Sequence, residues 1–85
     1  MDWQLIIDRN AEKQLKKIPK KYAERLTAVI QELTINPYGG DIEKMEGEGE
    51  VWRRRIGSYR IFFEIHTVRK IIYVYDIRRR TSSTY

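Results

Sequence analysis

Four arginines fall within eight residues of this chain: Arg53, Arg54, Arg55 and Arg60, in the stretch VWRRRIGSYRIFFEI that runs from 51 to 65. The residues between them are largely β-branched or aromatic, the composition of a pleated, half-buried surface. Three more, Arg78, Arg79 and Arg80, stand just before the terminal TSSTY. A guanidinium fork grips phosphate oxygens two at a time, and aromatic rings between such forks stack on bases. Arginine crowded onto strands therefore points outward, to a polyanion. The chain has no cysteine, a single histidine, His66, and no metal-ligand cluster, so chemistry without a metal or other cofactor is expected.

Turn chemistry and the two-residue period of strands place these side chains. Gly57-Ser58 reads as a two-residue hairpin turn with glycine first, as a type II′ turn prefers. Pairing then sets Ile56 opposite Tyr59, Arg55 opposite Arg60, Arg54 opposite Ile61, Arg53 opposite Phe62 and Trp52 opposite Phe63, and partners project to the same side. One face collects Trp52, Ile56, Tyr59, Ile61, Phe63 and Ile65. The other collects Arg53, Arg55, Arg60, Phe62, Glu64 and His66. Carried through a second turn near Val68-Arg69, the same parity adds Tyr73, Tyr75 and Arg79 to that second face. Arg54 falls on the apolar side, where its stem can run past Trp52 at a sheet edge. Like charges directly opposite one another cost a hairpin up to about 1 kcal/mol, and Arg55 opposite Arg60 is such a case. Two readings account for it: a phosphate-binding surface, or an ordinary exposed sheet face whose arginines are held by Glu64 and by acids of the preceding loop.

The elements around this hairpin must position it. Trp3, Leu5 and Ile7 alternate with Gln4 and Asp8 as a first strand, a pattern that Ile6 breaks mildly. Ala11, Leu15 and Ile18 follow at a helical period after Asp8 or Asn10, either of which can cap, and Pro19 closes that helix. Tyr22, Ala23, Leu26, Val29, Ile30 and Leu33 mark a second helix, which Asn36-Pro37 stops. Lys13, Lys16, Lys17, Lys20, Lys21 and Arg25 form the outward faces of the helical pair, most simply a solvated surface and otherwise a second basic contact. NPYGGDIEKMEGEGE, residues 36–50, reads as a loop anchored by Ile42 and Met45. Residues 51–56, 59–66 and 71–77 follow as strands. The order β-α-α-β-β-β predicts an α+β fold: an antiparallel sheet of about four strands with a helical hairpin packed on one face.

Eighty-five residues support one domain, residues 1–85. The net charge of +5 divides unevenly, since residues 1–50 hold eight Lys/Arg against ten Asp/Glu and residues 51–85 hold nine against two. Such a division marks a nucleic-acid or acidic-partner surface. Five acids lie between 41 and 50, directly ahead of the arginines and placed to screen them. With no signal peptide and no run of eighteen apolar residues, a cytoplasmic protein without membrane contact is expected.

Over nearly its whole length the chain resembles the RelE/ParE superfamily of toxin–antitoxin toxins. The resemblance rests on Lys44-Met45-Glu46-Gly47 in the loop, on Trp52-Arg53-Arg54-Arg55-Ile56-Gly57-Ser58-Tyr59-Arg60, and on the terminal arginine cluster followed by a tyrosine. RelE-like members are small ribonucleases that cut messenger RNA in the ribosomal A site, with the RNA's own 2′-hydroxyl as nucleophile. For this chain the resemblance implies phosphate binding and help with proton transfer at Arg53 and Arg55, and stabilisation of a phosphorane-like transition state at Arg60. It implies a further basic group at Arg79 or Arg80 and a stacking or proton-accepting role for Tyr85. Arg54, Phe62 and Arg78 are read as additional RNA contacts.

Arginine stands at 53 and 55 where RelE carries lysine, and arginine stays protonated in proteins. The proton acceptor is then Tyr85, His66, a water or the ribosome, while Glu64 is either a base beside Arg60 or its salt-bridge partner. The implied partners are a co-expressed antitoxin, the ribosome and messenger RNA. ParE-like members of the same fold instead inhibit DNA gyrase, and a catalytically silent member would use its basic face for antitoxin or RNA alone.

Overall fold

The computed structural model describes residues 3–45 and 50–79. Its elements in chain order are β1 (Gln4–Ile7), α1 (Arg9–Lys17), α2 (Lys20–Leu33), β2 (Ile42–Lys44), β3 (Val51–Ile56), β4 (Tyr59–His66) and β5 (Ile71–Arg79). The strands form one sheet in the order β1-β5-β4-β3-β2, and the helical pair packs on one face of it. This is the α+β architecture expected, with two corrections. The sheet has five strands rather than about four, and it is mixed rather than antiparallel.

The first correction comes from β2, which lies inside the segment read as a loop. Ile42 sits opposite Arg54 and Lys44 opposite Trp52, and the Met45 amide donates to the Val51 carbonyl at 2.8 Å. Three residues are too few to display a period, so pairing with the open edge of β3 makes this strand, not its own pattern. The second comes from β1, which joins β5 in parallel, Gln4 opposite Ile71 through to Ile7 opposite Val74. Alternation shows that β1 is a strand but not which edge it takes. At this edge Trp3, Leu5 and Ile7 all reach the core.

That core lies between the helices and the inner face of the sheet. Leu26, Ile30 and Leu33 of α2 meet Ile61, Phe63, Ile65, Ile72 and Val74, all at most 1% exposed. Each such side chain contributes roughly 1.5–3 kcal/mol by leaving water. The helices end where sequence chemistry ends them. Asp8 caps α1 by accepting the Asn10 amide at 3.1 Å, Pro19 divides α1 from α2, and Thr34 closes α2 with its hydroxyl on the Gln31 carbonyl at 2.6 Å.

Asp8 also ties the helical layer to the sheet, because Tyr73 Oη of β5 donates to its carboxylate at 2.7 Å. That bond first, then the Asn10 amide and Arg9, hold the Asp8 carboxyl below the usual aspartate value of 3.8, against the opposing effect of burial. The same bond pushes the Tyr73 phenol up. A carboxyl depressed in the folded state stabilises the fold above its unfolded value and loses that contribution as pH falls through the folded one. Denaturation midpoints of the wild type are therefore expected to drop on acidification below about pH 4, and to drop less steeply in Asp8→Asn. Superimposable acid profiles would contradict the link.

Candidate functional site

The register across the first hairpin is the one the turn dictates. Arg55 lies opposite Arg60, Arg54 opposite Ile61, Arg53 opposite Phe62 and Trp52 opposite Phe63. β5 extends the pattern, with Arg78 opposite Arg60 and Asp76 opposite Phe62. On the other side, Glu43 of β2 sits opposite Arg53, and the Asp41 carbonyl accepts the Arg55 amide at 3.0 Å. The sheet face turned away from the helices thus carries two rows across four chain segments. One reads Asp41, Arg55, Arg60, Arg78; the next reads Glu43, Arg53, Phe62, Asp76. Strands lie about 4.8 Å apart, so the three arginines of the first row span about 10 Å of backbone, the scale of one nucleotide linkage and its neighbours.

Arg78 belongs to this row because of a β-bulge. Between Phe62 and Phe63 the β4–β5 register shifts, Phe62 pairing with Asp76 but Phe63 with Val74, so Tyr75 is the extra residue. One inserted residue reverses the parity of everything after it. Arg79, expected on the cationic face, instead lies opposite Tyr59 on the helix side, and Arg78 takes its place.

Phe62 supports the row from below and is only 8% exposed. The Tyr75 ring lies 6.2 Å from it, and the Arg78 guanidinium sits 5.1 Å from its centroid, a cation–π contact that holds the fork over the sheet. Phe62 is a covered platform here, not an open stacking surface. Burial raises the Tyr75 phenol above its usual range, so that hydroxyl stays protonated at neutral pH.

Carboxylates partner the arginines. Arg53 pairs with Glu43, Arg55 Nε lies 3.2 Å from Asp41, and Arg78 Nε lies 2.6 Å from Asp76. The loop acids do hold this face, as the ordinary reading of the sequence had it. Glu43 and Asp41 are 64% and 60% exposed, however, and surface pairs of this kind contribute about 0–1 kcal/mol. They orient the guanidiniums, and because the exposed pairs contribute so little, a phosphate can take the place of the carboxylates at small cost.

Arg54, expected among the RNA contacts, stands apart from the row. It projects to the helix side, where Nη1 donates to the Gly39 carbonyl at 3.1 Å and Nη2 lies 3.9 Å from Glu32 at the end of α2. The side chain is packed under the loop so closely that a Cβ at Gly40 would fall 2.2 Å from its Cζ.

His66 is exposed beside the turn that precedes β5 and bonds Glu64 at 2.8 Å, far along β4 from Arg60. Trp52 packs at the core margin with Tyr38 edge-on at 5.7 Å. Arg80 and Tyr85, both expected in the site, lie outside the described residues. The pairing acids Asp41, Glu43 and Asp76 were not singled out as site residues by sequence. The acid run ahead of the arginines signalled the first two, whereas nothing in the pattern signalled Asp76.

Comparison with known proteins places the fold in a family. Residues 5–83 match the family described as ParE toxin of type II toxin-antitoxin system, parDE. The curated protein of Methanocaldococcus jannaschii named Putative toxin RelE1 is 30% identical over 83 residues, covering 94% of this chain and 92% of that protein. The archaeal RelE-RelB complex from Pyrococcus horikoshii OT3 superposes with a TM-score of 0.84 at 25% identity, over 98% of this chain and 100% of that one. The isolated E. coli RelE toxin shares the fold, with a TM-score of 0.82 at 18% identity over 95% and 87% of the two chains. The chain belongs to the ParE toxin family of type II toxin–antitoxin systems, within the RelE/ParE superfamily.

Proposed function

We propose that this toxin is a ribosome-dependent endoribonuclease that acts in the cytoplasm on messenger RNA and is restrained by a cognate antitoxin. The observation that supports it most is the Arg55-Arg60-Arg78 row with Arg53 beside it, all on the sheet face that the helices leave uncovered. In this reading the 2′-hydroxyl attacks the adjacent phosphorus. The O2′–P bond forms, the P–O5′ bond breaks, and a cyclic phosphate and a free 5′-hydroxyl result. Charge builds on the non-bridging oxygens, where Arg60 in the middle of the row stabilises it, and on the leaving 5′-oxygen, which lies within reach of a flanking fork and takes its proton from a water or a ribosomal group. Arginine cannot take the 2′ proton at neutral pH, so the acceptor is Tyr85, a water or a ribosomal group. The arginines supply position and charge, and the ribosome fixes the RNA for in-line attack.

The P. horikoshii RelE was solved with RelB, which supports a comparable antitoxin as this chain's partner. The second reading, inhibition of DNA gyrase without nuclease chemistry, is favoured by the ParE description of the matched family and by the carboxylate partners of Arg53, Arg55 and Arg78. One pair of measurements separates them. Expression of the chain alone, followed by primer extension on cellular messages, is expected to reveal new 5′ ends within translated frames, with gyrase supercoiling unaffected. Intact transcripts together with blocked supercoiling would reverse the assignment.

A further inference from the structure

Behind the arginine face, on the helix side of the sheet, a cavity of about 290 Å³ opens between the start of α2 and the β3–β4 hairpin. Leu26, Ile56 and Tyr59 give it an apolar floor. Over this stands the Tyr22 ring, 42% exposed and 5.9 Å from the Tyr59 ring at a tilt of 43°. Arg25 and Arg79 complete the wall, and among the described residues no acid lines it. These two arginines differ from Arg53, Arg54, Arg55 and Arg78, each of which lies within 4 Å of a carboxylate. Among the described residues neither Arg25 nor Arg79 has such a partner. The turn at its mouth is Gly57, with φ of 58°, and the space a side chain would fill there is open.

Size, chemistry and position converge. Ligand pockets begin near about 300 Å³, so this one suits a single nucleotide and not a longer ligand. An exposed aromatic ring beside two guanidinium forks without counter-charges suits a base with its phosphate. An acidic peptide would satisfy the forks and leave the ring without a stacking partner. The cavity also backs onto the row, since Arg79 follows Arg78 and Tyr59 precedes Arg60 on adjacent strands. We propose that it is a second nucleotide subsite: RNA gripped by the row passes over the Gly57-Ser58 turn and seats one base on Tyr22 and its phosphate on Arg25 and Arg79. The proposal rests on reading the row as RNA-binding.

The test is titration of the full chain with adenosine 5′-monophosphate, followed by NMR resonances of the Tyr22 and Tyr59 rings and of Arg25 and Arg79 Nε. Saturable shifts of all four are expected in the wild type and equally in Arg60→Ala. Affinity should fall about tenfold or more in Arg25→Ala, which loses a charged hydrogen bond, and about tenfold in Tyr22→Leu, which loses a stacking surface. Arg25→Lys should recover part of it. Inorganic phosphate should move the arginine signals and leave the Tyr22 ring still. Absence of cavity shifts overturns the subsite. So do saturable shifts of the remaining cavity signals that survive both substitutions, as does a pair of variants that weaken only the antitoxin complex. Because the readout is binding and Arg60→Ala is included, a wild type that fails to cleave RNA sinks the nuclease reading alone, and an active nuclease without these shifts sinks only the subsite.

Discussion

Arg60→Ala is expected to abolish growth arrest on induction and to slow cleavage on programmed ribosomes about 10²–10³-fold, equivalent to roughly 3–4 kcal/mol of barrier, the loss typical of removing one donor from developing oxyanion charge. The size of the effect follows from place. Arg60 is the middle of three cross-strand neighbours and is half-buried, so its fork is held where charge appears without the cost of ordering a free side chain. Its removal does not empty the core, and it relieves like-charge contacts with Arg55 and Arg78 that each cost up to about 1 kcal/mol. Thermal unfolding is therefore expected to remain cooperative, with its midpoint near the wild-type value. Arg78→Ala should act in the same direction but less strongly, because Arg78 lies at the edge of the row and already engages Asp76. A fully toxic Arg60→Ala protein, soluble and folded, would remove the row from the mechanism.

The hairpin that carries Arg53, Arg55 and Arg60 was legible because two local rules fix it together. A glycine-first turn pins the register, and strict alternation pins the faces. The helices were legible for the same kind of reason, since Asp8, Pro19 and Asn36-Pro37 punctuate a clear 3.6-residue period. What escaped depends on partners rather than on local pattern. In IIYVYDIRR apolar residues run through both parities, so nothing marks Tyr75 as the extra residue, and that one residue decides whether Arg78 or Arg79 reaches the cationic face. The β2 segment is a strand only because β3 offers it an edge, and that pairing brings Asp41 and Glu43 onto the arginines. Charge asymmetry along the chain announced acids near arginines; only the sheet order says which acid meets which fork.

Arg54 shows how a residue can share the composition of a site and do the opposite work, and Gly40 supplies the test. Gly40 has φ of 82°, where a side chain costs roughly 1–2 kcal/mol. Its missing Cβ is also the space that the Arg54 guanidinium occupies. Gly40→Ala should therefore lose the backbone preference and, by driving the fork off the Gly39 carbonyl, a charged hydrogen bond of about 1.5–3 kcal/mol, for a total of about 2.5–5 kcal/mol in urea denaturation. Arg54→Ala should lose the hydrogen bond alone. In the double variant the fork is gone before the new methyl arrives, so its destabilisation should fall short of the sum of the two single ones by about the shared bond. Because Arg54 projects away from the Arg55-Arg60-Arg78 row, cleavage per folded molecule should stay near wild type in Arg54→Ala. If instead that variant keeps its denaturation midpoint and loses RNA affinity, the fork reaches substrate and its tie to the loop is incidental; additive destabilisation would show that Gly40 and Arg54 do not share the space the geometry gives them.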